Sequence, residues 1–162
     1  VIADEKPFFV PNTVTPCERI AILERLATSG SRRPFVQAFA QKLPGKTNLE
    51  IARSALAAVQ ELPYVPGPPN EEWMQGATWT MAHGGECKAL SVLLVAALRA
   101  RGVPAEIVWI TQTGKPLNHV TVVVSDGPDQ YWAEPAVPGA RLGESPYEAI
   151  ERTNAWHVVG GR

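Results

Sequence analysis

A cysteine, a histidine and a glutamate stand in this chain order where they could form a nucleophile, a base and an orienting acid. Cys87 sits in "HGGECKAL", residues 83–90, directly before ten uncharged residues, "ALSVLLVAAL", from Ala89 to Leu98. A thiol attacks a carbonyl as thiolate, and a helix N-terminus favours that form with free N–H groups and about half a positive charge. His119 in "LNHVTVVVS" and Glu134 in "QYWAEP" fall in two runs of strand-forming residues. If residues 126–129 make the hairpin loop, Ser125 faces Gln130 and Thr121 faces Glu134. His119, two positions before Thr121, then lies on the same face, diagonal to Glu134. A one-residue slip would turn it away, so the site depends on register.

The chemistry follows from the residue types. Cys87 would attack, His119 would take the thiol proton and return it to a leaving amine, and Glu134 would hold the ring and offset its charge. Gly84 and Gly85, lacking Cβ atoms, would let a substrate backbone approach the sulfur. Taken singly, the commoner readings are a small buried hydrophobe for Cys87, a satisfied core histidine for His119 and a surface acid for Glu134. The combination of all three in these settings is rarer. His83, in a glycine-flanked stretch, reads as an exposed loop residue, His157 as structural, and Cys17 as a packing residue.

These residues need elements to hold them. Thr15, Pro16 and Glu18 predict a capped helix that runs to about Thr28 and stops at Gly30. A short helix from Pro34 to Lys42 follows, then one from Thr47 with Glu50 as its capping partner, ended by Pro63. "LPYVPGPPNEEW", residues 62–73, reads as an extended surface connection, because its prolines cannot continue a helix. Asn70 can cap a single turn through Met74, and "QGATWTMAHGGE" reads as irregular loop. From Glu86 to Arg101, apolar residues surround a helix on most sides, with Gly102 and Pro104 closing it. Strands are expected at 103–110, 117–125 and 130–134, as an antiparallel meander. "SPYEAIERTN" predicts a short helix capped by Ser145, and "AWHVV" a last strand.

The chain has 162 residues, fitting a single domain over 1–162, divisible into an N-terminal helical segment, 1–48, and a core, 49–162. The order of helices then strands makes the fold class α+β. A formal charge of −1 with interspersed signs gives no footprint for nucleic acid or an acidic membrane. The longest uncharged apolar run is too short to span a bilayer, and no signal-peptide pattern opens the chain. The two cysteines lie far apart without metal-ligand spacing, so neither a disulfide scaffold nor a metal site is expected.

The stretch "GGECKALSVLLVAALRARGVPAEIVWI", then "NHVTVVV", then "QYWAEP" resembles the transglutaminase-like superfamily of cysteine enzymes. The resemblance spans about residues 60–142, and residues before about Leu49 carry no motif of the family. In particular it is similar to the small members encoded by bacterial viruses and prophages, through "PYVPGPPNEEW" and "EPAVPGARLGE". It implies a papain-like core, with a buried central helix on an antiparallel sheet, and a thioester acyl-enzyme formed on a protein or peptide amide. Cys87 would be the nucleophile, His119 the base and Glu134 the acid, where the family more often has Asp. The Cys87 N–H is the first candidate oxyanion donor; Gln75 or Trp79 could add a second. No cofactor is implied. Proteolysis leads, on a viral or bacterial protein during particle assembly, with phage structural proteins as the expected partners, in the cytoplasm or a virion. Transfer to an amine, a non-catalytic virion module and a plain α+β domain stay open.

Overall fold

The computed structural model describes residues 5–112, 118–145 and 150–152. Strand β1 (Phe8–Val10) precedes helix α1 (Pro16–Gly30), whose capping box forms as expected: Thr15 Oγ1 accepts from the Glu18 N–H, and Glu18 accepts from the Thr15 N–H. Gly30 does not stop the helix. It is the last helical residue, and Ser31 is the C-cap. A Cβ on Gly30 would stand 2.8 Å from the Ala77 Cβ and 3.2 Å from that of Ala96, so the glycine serves helix packing. Helices α2 (Pro34–Gln41) and α3 (Asn48–Gln60) follow, the latter again opened by a capping box, Thr47 with Glu50.

Two expectations fail in the next stretch. Instead of a helical turn after Asn70, which has φ 60°, Glu72–Met74 form β2 and pair antiparallel with β1. Instead of an irregular loop, Ala77–His83 form helix α4. Its N-cap, Gly76, has no side chain to cap it. Glu5 does so from the chain start: its carbonyl accepts the Gly76 N–H at 2.8 Å and its carboxylate the Thr78 N–H at 3.4 Å. A cap supplied 73 positions away leaves no local signal.

Helix α5 (Cys87–Ala100) is the centre of the molecule. All ten residues from Ala89 to Leu98 are buried, as the apolar run requires. It packs against all four preceding helices and the main sheet. Gly102, at φ +75°, ends it as expected, and the Arg101 guanidinium donates to the carbonyls of Ala40, Leu43 and Gly45.

The sheet contains β3 (Ala105–Gln112), β4 (Asn118–Asp126), β5 (Asp129–Ala133) and β6 (Ile150–Arg152), in the antiparallel order β5-β4-β3-β6. The expected register holds, with Ser125 opposite Gln130, and the ladder extends one pair further, to Asp126 and Asp129. Residues 150–152 are strand, within the segment expected as a helix; residues 146–149 and 153–162, with "AWHVV" and His157, lie outside the described residues. Val120, Val122 and Val124 enter the core around α5, and His119 alternates with them along β4.

Candidate active site

Cys87 is the first residue of α5 and is half-buried. The N-cap, Glu86, is extended at φ −90° and ψ −173° and makes no side-chain cap; the Cys87 N–H faces the Tyr64 phenol oxygen instead. The Glu86 carboxylate turns elsewhere, accepting the Gly67 N–H at 3.2 Å and pairing with Lys88. Lys88 also reaches Glu72 on β2 at 3.1 Å. Burial alone would depress the lysine pKa, but Glu86, the Cys87 charge and Glu72 raise it and keep the ammonium charged. Lys88 thus ties the start of α5 to β2.

His119 is the first described site residue of β4 and is buried. Its Nε2 lies 2.6 Å from Glu134 Oε2, just beyond the end of β5, and Glu134 Oε1 accepts the Ala136 N–H at 3.0 Å. Glu134 is 1% exposed, not the surface acid of the plainer reading. Burial pulls the His119 pKa down, but hydrogen bonding to Cys87 and Glu134, with their negative charges, pushes it up to about 9. With a folded pKa above the ordinary 6.5, the imidazolium contributes stability fully below pH 6.5 and loses it as pH rises through about 9. Cys87, the first residue of α5, is thus within hydrogen-bonding reach of the ring.

Glu134 is also held from behind. The Gln60 side-chain amide, at the end of α3, donates to the carbonyls of Glu134 at 3.0 Å, Val137 at 3.1 Å and Ala140 at 2.8 Å. Gln60→Leu keeps the size of the side chain and removes these bonds, leaving partly buried carbonyls unpaired at a cost of about 1–3 kcal/mol. The loosened carboxylate is expected to lower the His119 pKa from about 9, read by NMR titration of the ring; an unmoved titration would show that the loop holds Glu134 without Gln60.

The glycine pair has a different reason from the one expected. A Cβ on Gly84, at φ +73°, would lie 2.2 Å from the Pro63 carbonyl oxygen, and one on Gly85 would lie 2.4 Å from the Ala89 Cβ. Both are buried, and the chain itself fills their space. Residues 63–65 lie along them: the Gly85 N–H donates to Pro63 at 3.2 Å and the Val65 N–H to Gly85 at 3.0 Å. This places Tyr64, which the sequence reading passed over, beside Cys87. Its phenol pKa is raised by burial first and then by the Cys87 and Glu86 charges, although the side chain is half exposed. Gln75 donates to Thr80 Oγ1 at 3.0 Å and to the Gly84 carbonyl at 2.8 Å, so its N–H groups brace the loop before Cys87. Trp79 stacks on His83, with ring centroids 4.1 Å apart; His83 is the exposed last residue of α4, not a loop histidine.

A cysteine thus opens the central helix, and a histidine on β4 pairs with an acid just past the end of β5. Residues 37–142 match the model of the transglutaminase-like superfamily. The chain belongs to that superfamily. No curated protein matches this transglutaminase-like chain. Two solved structures share its fold. A candidate protease from Parabacteroides distasonis is 17% identical, with a TM-score of 0.57 over 76% of this chain and 27% of the other. A candidate cysteine protease from Cytophaga hutchinsonii is also 17% identical, with a TM-score of 0.52 over 93% of this chain and 50% of the other. The transglutaminase-like chain therefore spans half or less of the length of each.

Proposed function

We propose that this transglutaminase-like protein is a cysteine peptidase that cleaves protein or peptide amides through a thioester. The observation that carries the reading is a buried His119–Glu134 pair, 2.6 Å apart, beside a half-buried cysteine at the start of the central helix. Glu134 bonds Nε2 of the ring, which leaves Nδ1 for Cys87. With His119 holding the proton as imidazolium, the Cys87 sulfur adds to the amide carbonyl carbon. The resulting oxyanion takes a hydrogen bond from the Cys87 backbone N–H at the helix start, replacing the Tyr64 phenol oxygen there. Collapse breaks the C–N bond; the leaving nitrogen receives the His119 proton and departs as amine. Water then adds to the thioester, giving its proton to His119, and the acid is released as the thiol re-forms. The two structures of similar fold, a candidate protease and a candidate cysteine protease, support this class of reaction. A viral or bacterial structural protein as the substrate rests on the sequence resemblance to phage-encoded members.

The pH dependence tests the assignment. Hydrolysis needs a protonated His119 for the leaving amine, so with a pKa of about 9 the rate is expected to fall above that pH. Glu134→Gln keeps the shape and removes the charge that favours imidazolium, so the alkaline limb should move to lower pH. Hydrolysis at its optimum is expected to drop about 10²- to 10⁴-fold, the scale of a general acid–base contribution. An unchanged profile would remove Glu134 from the mechanism. Slow alkylation of Cys87 by iodoacetamide at every pH in the parent protein would instead favour a non-catalytic module.

A further inference from the structure

A cleft of about 290 Å³ opens beside the helix start that carries Cys87. Val65, Pro66, Pro68, Trp73 and Trp79 line it together with Gly84 and Glu86, and Glu86 directly precedes Cys87 in the chain. We infer that this cleft is a substrate subsite for one neutral aromatic or branched aliphatic side chain, carried by the residue next to the scissile amide. The inference rests on the peptidase reading and adds the substrate preference to it.

The polar groups of the cleft carry the chemistry of the occupant. Trp73 Nε1 already donates to Glu71 at 2.8 Å. The Gln75 amide donates to Thr80 and Gly84, and the Glu86 carboxylate is held by the Gly67 N–H and the Lys88 ammonium. His83 Nδ1 sits 3.0 Å from the Trp79 carbonyl. A charged side chain entering here would lose water and find the Glu86 carboxylate already engaged by Gly67 and Lys88, whereas an apolar one needs no counter-charge. The Trp79–His83 stack, with planes 20° apart, offers a flat face to a ring or a branched aliphatic group. The volume lies at the small end of ligand pockets, which suits one side chain. Position completes the case: the wall from Val65 onward is bonded to Gly85, two residues from the nucleophile, so a side chain seated in the cleft lies next to an amide at Cys87.

The test uses the full chain and five pentapeptide amides that differ only at the residue flanking the scissile bond: Phe, Leu, Gly, Lys and Glu. Phe and Leu are expected to exceed Gly, Lys and Glu in kcat/KM by about 10- to 200-fold, the discrimination an apolar pocket gives. Trp79→Ala should reduce that spread to about threefold or less. Val65→Arg, at a position 46% exposed and therefore tolerant of change, should raise the Glu peptide relative to Phe. Fast iodoacetamide alkylation of Cys87 with equal rates on all five peptides would overturn the cleft assignment and leave the peptidase reading standing. A preference for Lys would overturn it in favour of a cation-binding aromatic cleft. Slow alkylation in the parent would overturn the peptidase reading and the cleft assignment with it.

Discussion

Cys87→Ala is expected to abolish amide cleavage, with a loss of about 10⁶-fold in kcat, the scale seen when a nucleophile is removed from a catalytic unit that acts together. The fold should remain nearly as stable, because replacing a half-buried thiol by hydrogen at a helix start leaves only a small cavity. Cys17→Ala is the control. Cys17 is an exposed free cysteine in the first turn of α1, so it shares with Cys87 a helix start and nothing of His119 or Glu134. Its replacement should leave cleavage unchanged. Peptide hydrolysis and urea melts of both variants measure the two quantities; equal activities would show that Cys87 is not the nucleophile.

Leu94→Ala is expected to destabilise the protein by about 2–5 kcal/mol, read as a lower urea midpoint at unchanged slope. Leu94 is completely buried in the middle of α5, where helices pack on one side and the sheet on the other. Neighbours on so many sides cannot all collapse into the space, so the lost transfer energy is joined by a cavity term. Such a loss is a large part of a typical domain's stability. A change below about 1 kcal/mol would mean that α5 is peripheral, and Cys87 would then lack a rigid support.

Much of the site is legible in the residues themselves. Ten uncharged residues with Leu90, Leu94 and Leu98 on one stripe must be buried nearly all round, and a cysteine just before them must stand at the helix start. Capping boxes at Thr15 and Thr47 are local chemistry, complete within four residues, so they are readable without a fold. The β4–β5 hairpin is equally local: its turn sets the register, and the register brings His119 diagonally next to Glu134.

What the tertiary structure decided has its causes far away in the chain. Helix α4 packs on α5 and is capped by Glu5 from 73 positions away, and β2 pairs with the edge that β1 offers. Gly84 and Gly85 look like room for a substrate until Pro63 and Ala89 are seen to fill that room. Gln60 gives no sequence signal of its hold on Glu134, since its three acceptors are backbone carbonyls, present in every residue type. Taken singly, Glu134 reads as a surface acid because a carboxylate is costly to bury. Its 1% exposure, and the Ala136 N–H that joins His119 in satisfying it, come only from the packed structure. Local hydrogen bonding and apolar periodicity are written in neighbouring residues; partners brought together by folding are not.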